Sequence, residues 1–231
     1  MPPDPVTDPG VPVRDAATII VLRETAGGPA VLMGRRGASA AFMPSHVVFP
    51  GGAVDPGDAA ISLAGGLNPT CAARLAVESA RTPNALAAAA IRELWEETGQ
   101  IAGRAAPWPD APRGWRGFAR TRHRPDASGL TFVFRAITPP GRPRRFDARF
   151  FTLDANRLAS DLDDFSRAED ELGALSWVPL DAVQGLRLPF ITSIVLAELR
   201  AGHGRAGPPT DVPFYRDGAE EAAFRRIHGR A

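Results

Sequence analysis

Lysine is absent from this sequence: all 27 residues counted as Lys or Arg are arginine. GC-rich codon usage explains such a bias without any function. Arginine is also the side chain whose planar fork grips a phosphate with two hydrogen bonds, so both readings stay open. Cysteine is nearly absent too. Cys71 stands alone, which excludes an internal disulfide and a disulfide-stapled scaffold. Long apolar runs are missing: no stretch approaches the roughly 18 continuous apolar residues of a membrane span. The start, MPPDPVTDPGVPVRD, has neither the basic flank nor the apolar core of a secretory signal. A cytoplasmic protein with no membrane association is the resulting expectation. Surplus charge is missing as well, and a formal net charge of +1 argues against extended nucleic-acid binding. No repeat occurs at solenoid periods.

What is present is a chain of 231 residues, 44% apolar and 23% charged, the composition of an ordinary globule. Residues 1–13 carry five prolines and read as a flexible tail. AATIIVL (16–22) and AVLMGRR (30–36) read as paired strands around the turn signal GGP. HVVFPGGAVD (46–55) reads as a short strand running into a Pro-Gly-Gly turn. Two short helical pieces are expected within 59–84. Residues 103–129, rich in Pro, Gly and Arg, read as a long surface excursion. Strands resume at 130–137, 144–153 and 174–180, with a short helix from Asp181. LPFITSIVLAELRAG (188–202) reads as an apolar helix, and EEAAFRRIHGR near the end as an amphipathic helical turn or two. The main domain is placed at 14–205 and a C-terminal extension at 206–231. The order of elements lacks a regular βαβ alternation and predicts an α+β fold, a mixed sheet with helices packed on it.

The strongest helix is AAAAIRELWEET, within 85–98. Alanine is the best helix former, Gly99 stands where a C-terminal cap belongs, and Thr82 (with Pro83) or Asn84 can cap the start. Residues three and four apart share a helix face, so Glu93, Glu96 and Glu97 project together, with Arg92 four residues before Glu96. Like charges about 5 Å apart repel by roughly 3 kcal/mol per pair at an effective dielectric near 20. A divalent cation would resolve that conflict, and hard Mg²⁺ or Mn²⁺ prefers carboxylate oxygen. A solvated acidic face would explain the helix equally well by itself. Upstream, FPGGAVDPGD supplies a Gly-Gly pair that lets backbone approach a ligand closely.

Together, FPGG and RELWEETG resemble the signature of the Nudix hydrolases. That signature is a glycine, five residues, a glutamate, a seven-residue spacer, then Arg-Glu-aliphatic-x-Glu-Glu-x-Gly-aliphatic. Gly52 matches the first glycine, and Arg92, Glu93, Leu94, Glu96, Glu97 and Gly99 match the second half. Asp58 stands at the first glutamate, Gln100 at the last aliphatic position, and the spacer is enlarged by an insertion at about 59–84. The resemblance implies an α/β/α sandwich, a mixed β-sheet between helices. It also implies hydrolysis of a diphosphate linked to another moiety. Glu93, Glu96, Glu97 and the Gly52 backbone would hold Mg²⁺ or Mn²⁺. Glu93 would also help activate water, and Arg92 would orient the carboxylates.

A later loop, SRAEDELGALSW, offers Glu169, Asp170 and Glu171, of which Glu171 is favoured as a further catalytic acid. Arg36, Gly51 and Arg145 are the candidates for substrate binding, with Arg35, Arg144, Arg149 and His46 as further possibilities against a purely structural role. The insertion, AFMPSHVVFPGG and LPFITSIVLAEL are loosely similar to the branch containing the peroxisomal coenzyme A diphosphatases. The substrate implied is a nucleotide diphosphate conjugate: coenzyme A or acyl-coenzyme A first, then NADH or ADP-ribose. A nucleotide-binding module without catalysis is the alternative of another class. A homodimer is compatible with the sequence. RGWRGFARTRHR (113–124) mixes Arg with aromatics that can stack a base, or forms an exposed loop.

Overall fold

The computed structural model describes residues 10–38, 43–202, 208–218 and 221–229. Most of the tail drawn at 1–13, and the boundary drawn at 205/206, lie outside them. In chain order the elements are β1 (Val13–Thr25), β2 (Gly28–Arg36), β3 (Val47–Val48), β4 (Gly51–Ala53), α1 (Pro69–Ala76), α2 (Pro83–Thr98) and β5 (Gly103–Ala105). There follow α3 (Arg116–Arg120), β6 (His123–Pro125), β7 (Thr131–Ile137), β8 (Arg145–Asp154), β9 (Leu172–Pro179), α4 (Phe190–Gly202), β10 (Val212–Gly218) and β11 (Glu221–Ile227).

One mixed sheet runs β11-β10-β7-β8-β1-β2-β3, with β4 also on β1 and β9 also on β2. At its centre β1 pairs with β8 in parallel over Val13–Leu22, and turns back antiparallel into β2 through Thr25 and Gly28. Alternation along β1 supplies both cores. Ala17, Ile19 and Val21 face the layer containing α2, whereas Ile20 faces the layer containing Val195 and Leu196 of α4. The expected sandwich of a mixed sheet between helices is the observed one. Phe132 and Phe134 in β7 are two residues apart yet belong to opposite cores. A register shift between them against β8 reverses the face.

Helix α2 starts at Thr82, whose hydroxyl accepts from Ala85 N–H, with Pro83 in the first turn. Asn84, the other capping candidate, instead donates to Ile61 C=O. Gly99 ends the helix in the left-handed conformation, φ +71°. Ala85 through Ile91 are all buried. A helix buried on every side needs cover on two sides. The sheet covers one, and Ile61, Cys71 and Leu75 of the insertion share the same core on the other.

That insertion is tied down rather than looped out. Arg135 donates to Val77 C=O and Glu78 C=O and pairs with Asp147 at 2.7 Å. Arg149, 1% exposed, donates to Asp15, to Ser79 Oγ and to Asp147 C=O. Three expectations are corrected here. Of the two helical pieces expected within 59–84 only α1 is a helix, and residues 61–68 run without one. Residues 103–129 are no surface excursion: Trp108, Trp115 and Phe118 are buried and stack on one another and on Trp95. Three large apolar rings outweigh the polar, Gly- and Pro-rich background. The final segment is strand β11, paired with β10, because an open sheet edge overrides modest helical propensity. The 206–231 extension thus contributes two strands to the main sheet.

Replacing Arg135 by Leu leaves Asp147 short of charge and two carbonyls unpaired. It is expected to lower unfolding free energy by about 3 kcal/mol or more, read from the urea midpoint.

Candidate active site on the carboxylate helix

Strand β4 lies beneath the C-terminal half of α2. It pairs with β1 at Thr18–Gly51 and Ala17–Gly52. A Cβ on Gly51 would stand 2.7 Å from Ala17 C=O and the Thr18 Cα. A Cβ on Gly52 would stand 2.6 Å from the Glu93 carboxylate. Both are closer than real Cβ contacts: a glycine at 51 lets β4 lie this close to β1, and a glycine at 52 leaves room for the Glu93 carboxylate where it stands.

The carboxylates are held by Arg92. Its Nε and Nη2 donate to Asp58, both at 3.1 Å, and Nη2 also donates to Ala53 C=O. Its Nη1 donates to Glu93 at 2.8 Å and to Glu96 at 2.9 Å. Asp58 is 1% exposed and also accepts from Asp55 N–H. The sequence marked Asp58 only as a departure from the signature. In the structure its shorter side chain still reaches the arginine, because the short helical turn at Pro56–Ala60 brings its backbone in. Glu97, 2% exposed, accepts from Gly51 N–H at 2.7 Å.

Burial sets the protonation of these groups. It pushes the Glu93 carboxyl up to about 7, against the opposing pull of Arg92 and its hydrogen bond. Burial likewise holds Glu97 well above the ordinary carboxylate range, countered by the Gly51 N–H and reinforced by the charges of Glu93 and Glu171. Glu96 is raised by burial too, against Arg92.

The other candidates divide into two groups. Arg36 donates to Glu171 at 3.1 Å, and both charges are felt at Glu97, so this pair belongs with the helix carboxylates. Glu169 N–H donates to Glu96 C=O at 2.7 Å, bringing the acidic loop against the end of α2. His46, just before the Gly-rich turn, contacts Pro44 C=O through Nδ1. Arg145 is not gathered here. It lies at the far end of β8, opposite Val13, donates to Thr138 C=O, and lines a separate cavity of about 490 Å³ with Arg135, Asp147 and Phe214. Arg149 is buried beneath the insertion, where its side chain is engaged by Asp15 and Asp147. Burial of Trp115 and Phe118 removes the aromatic partners that base stacking at 113–124 would need.

Among the described residues no three His, Cys, Asp or Glu side chains converge as a ready-made metal cage. Arg92 Nη1 holds Glu93 and Glu96 instead. The donor chemistry nevertheless fits a hard divalent cation: Glu93, Glu96 and Glu97 offer only oxygen, share one helix face and are short of positive charge. Among the described residues no helix is long and apolar enough to cross a membrane.

No family model matches the chain. The crystal structure of a Nudix hydrolase from Alicyclobacillus acidocaldarius is 32% identical to it, with a TM-score of 0.65 over 83% of this chain and 92% of that one. The chain is also 28% identical, over 188 residues and 71% of its length, to a Caenorhabditis elegans protein assigned by name to the nudix hydrolases. It spans about half of that curated relative, 51% of its length. The chain belongs to the Nudix hydrolase family.

The raised carboxyls carry a sign. A group whose folded value exceeds its ordinary 4.5 gives its full stability contribution below that value, and loses it as pH rises through the folded value, about 7 for Glu93. The metal-free protein is therefore expected to lose thermal stability across that window. Mg²⁺ or Mn²⁺ should raise Tm more at about pH 8 than at about pH 5.5, since protons compete for the same oxygens. Differential scanning fluorimetry across pH, with and without metal, measures both.

Proposed function

We propose that this chain is a divalent-metal-dependent hydrolase that cleaves the diphosphate linkage of a nucleotide conjugate. The observation that carries this reading is the set of Glu93, Glu96 and Glu97 on one helix face, the first two held by Arg92 and the third by Gly51 N–H of the glycine turn. When bound, Mg²⁺ or Mn²⁺ would neutralise phosphate charge and lower the pKa of a coordinated water. Glu93, Glu96, Glu97 and the backbone at Gly52 are the groups assigned to hold it.

The remaining roles fall to the chain itself. Arg92 keeps Glu93 and Glu96 aimed at the reacting centre. Glu93, whose carboxyl is pushed up to about 7, suits acceptance of a proton from the attacking water near neutral pH. Glu171 stands opposite the helix as a further acid or base. Arg36 contacts the diphosphate, while Gly51, whose N–H is taken by Glu97, holds that carboxylate in place. The enlarged spacer between Asp58 and Arg92 and the segment HVVFPGG support coenzyme A or acyl-coenzyme A as the preferred substrate, with NADH and ADP-ribose next. The cavity around Arg145 lies apart from this centre, so Arg145 has no role in the chemical step.

The purified protein with Mg²⁺ or Mn²⁺ is tested on coenzyme A, acyl-coenzyme A, NADH and ADP-ribose, with products followed by mass. Cleavage of coenzyme A to 3′,5′-ADP and phosphopantetheine is the expected result. Glu97→Gln should retain its circular dichroism and melting transition and lose about 100-fold or more in kcat. Undiminished turnover in that variant would reject the assignment. Nucleotide-induced thermal shifts without turnover at any metal concentration would establish a binding module instead.

A further inference from the structure

Gln100 occupies the position where the family signature has an aliphatic residue. It is completely buried, at 0% exposure. An apolar residue would satisfy that burial. Gln100 instead uses its whole amide. Nε2 donates to Asp161 C=O at 3.0 Å and to Asp164 C=O at 3.1 Å, and Oε1 accepts from Ser160 Oγ at 2.7 Å. Ser160 Oγ in turn accepts from Ile101 N–H, and Ala159 N–H donates to Ile101 C=O. One side chain thus satisfies three groups of a single loop, which no aliphatic residue can do.

The same loop meets the helix end at two more points. Glu169 N–H caps Glu96 C=O, a carbonyl the helix leaves without an internal partner. Gly99 lets the loop lie flush on the cap, because a Cβ there would stand 2.9 Å from the Arg167 Cβ. On its outer side Asp163 is gripped by both Nη atoms of Arg23, and Leu162 C=O accepts from Trp177 Nε1. Residues 159–171 are therefore fastened to the carboxylate helix at their start and finish. Glu169 and Glu171 lie on that segment, and their charges are felt at Glu96 and at Glu93 and Glu97 respectively.

We propose that Gln100 is a positioning residue for the hydrolysis, fixing the acidic loop so that Glu169 and Glu171 stand over the helix carboxylates. The inference rests on the hydrolase reading above. Gln100 touches no substrate. It acts through the loop, so its loss should affect the chemical step rather than substrate affinity, and only while the loop acids are present.

The experiment compares wild type, Gln100→Met, Glu169→Gln/Glu171→Gln and the triple variant, each with Mg²⁺ or Mn²⁺ and the substrate of the panel that wild type cleaves best. Gln100→Met keeps volume and burial, so folding is expected to survive. Its kcat should fall about tenfold with KM changed less than about twofold. Adding it to the loop-acid variant should lower kcat by less than about twofold more. Losses that multiply, or an unchanged kcat in Gln100→Met, would overturn the proposal.

Hydrogen exchange without substrate reads the anchoring separately. The Ala159 and Glu169 amides should exchange about tenfold faster in Gln100→Met than in wild type, with α2 unchanged. Unaltered exchange at those amides overturns the anchoring itself. A wild-type protein that cleaves nothing in the panel overturns the hydrolase reading, and with it the catalytic part of this one, whatever the exchange shows. If Gln100→Met does not fold, Ser160→Ala, which removes one of the same contacts at a less buried point, is expected to give a smaller shift of the same kind. No shift there would count against the proposal equally.

Discussion

A buried guanidinium surrounded by carboxylates organises this molecule. Arg92 is 7% exposed and donates to Asp58, Glu93 and Glu96 as well as to the backbone at Ala53. Burial opposes its charge, but the hydrogen bond to Asp58 and the surrounding negative charges hold it protonated. The partners come from three places: the glycine strand, the short helical turn at Pro56–Ala60 and the helix itself. Removing a partner from such a cluster leaves uncompensated charge in a low-dielectric setting, which costs far more than an exposed ion pair contributes. Position and electrostatics are therefore one problem here. The geometry that aims the carboxylates also keeps them short of positive charge, and a cation is what that deficit suits.

The fold serves this cluster by bringing backbone close to side chain. Alanines along α2 let the helix settle onto β1, and the glycines of β4 let strand backbone pass under Glu93 and Glu97. A side chain at Gly51 would collide with the β1 backbone, and one at Gly52 would displace the Glu93 carboxylate. The central parallel pairing of β1 with β8 gives the rigid floor, and each face of β1 feeds a separate core. Rigid elements hold catalytic groups more tightly than loops do. The exception is the acidic loop before β9, which is fastened to the end of α2 and the residues after it by hydrogen bonds.

The parts legible in the sequence were those whose causes are local. Helix α2, its Gly99 cap and the shared face of its glutamates follow from spacing alone, and the structure has all of them; at the other end it selects Thr82 over Asn84 as the cap. A mixed sheet with helices packed on it followed from the pattern of elements, and its place between helices from the resemblance. What escaped was non-local. Nothing near Trp108, Trp115 or Phe118 reveals that Trp95 waits to receive them, so a polar, Gly-rich context was misleading. β11 is a strand only because β10 offers an edge. Among the arginines, type and position could not separate Arg36, which joins Glu171, from Arg145 and Arg149, which go elsewhere. Gln100 read as a blemish in a motif because its partners lie some sixty residues onward.

The burial of α2 on all sides bears on how such a chain can change over generations. The insertion covers one flank of the helix, follows directly on the turn that carries Asp58, and is clamped from below by Arg135 and Arg149. Trimming it would uncover the alanines of α2 and take from Arg135 and Arg149 their contacts with Val77, Glu78 and Ser79. An enlarged spacer can enter a lineage as an ornament. Where an alanine helix and two sheet arginines both lean on it, the ornament has become structure, and shortening the spacer takes part of the core with it.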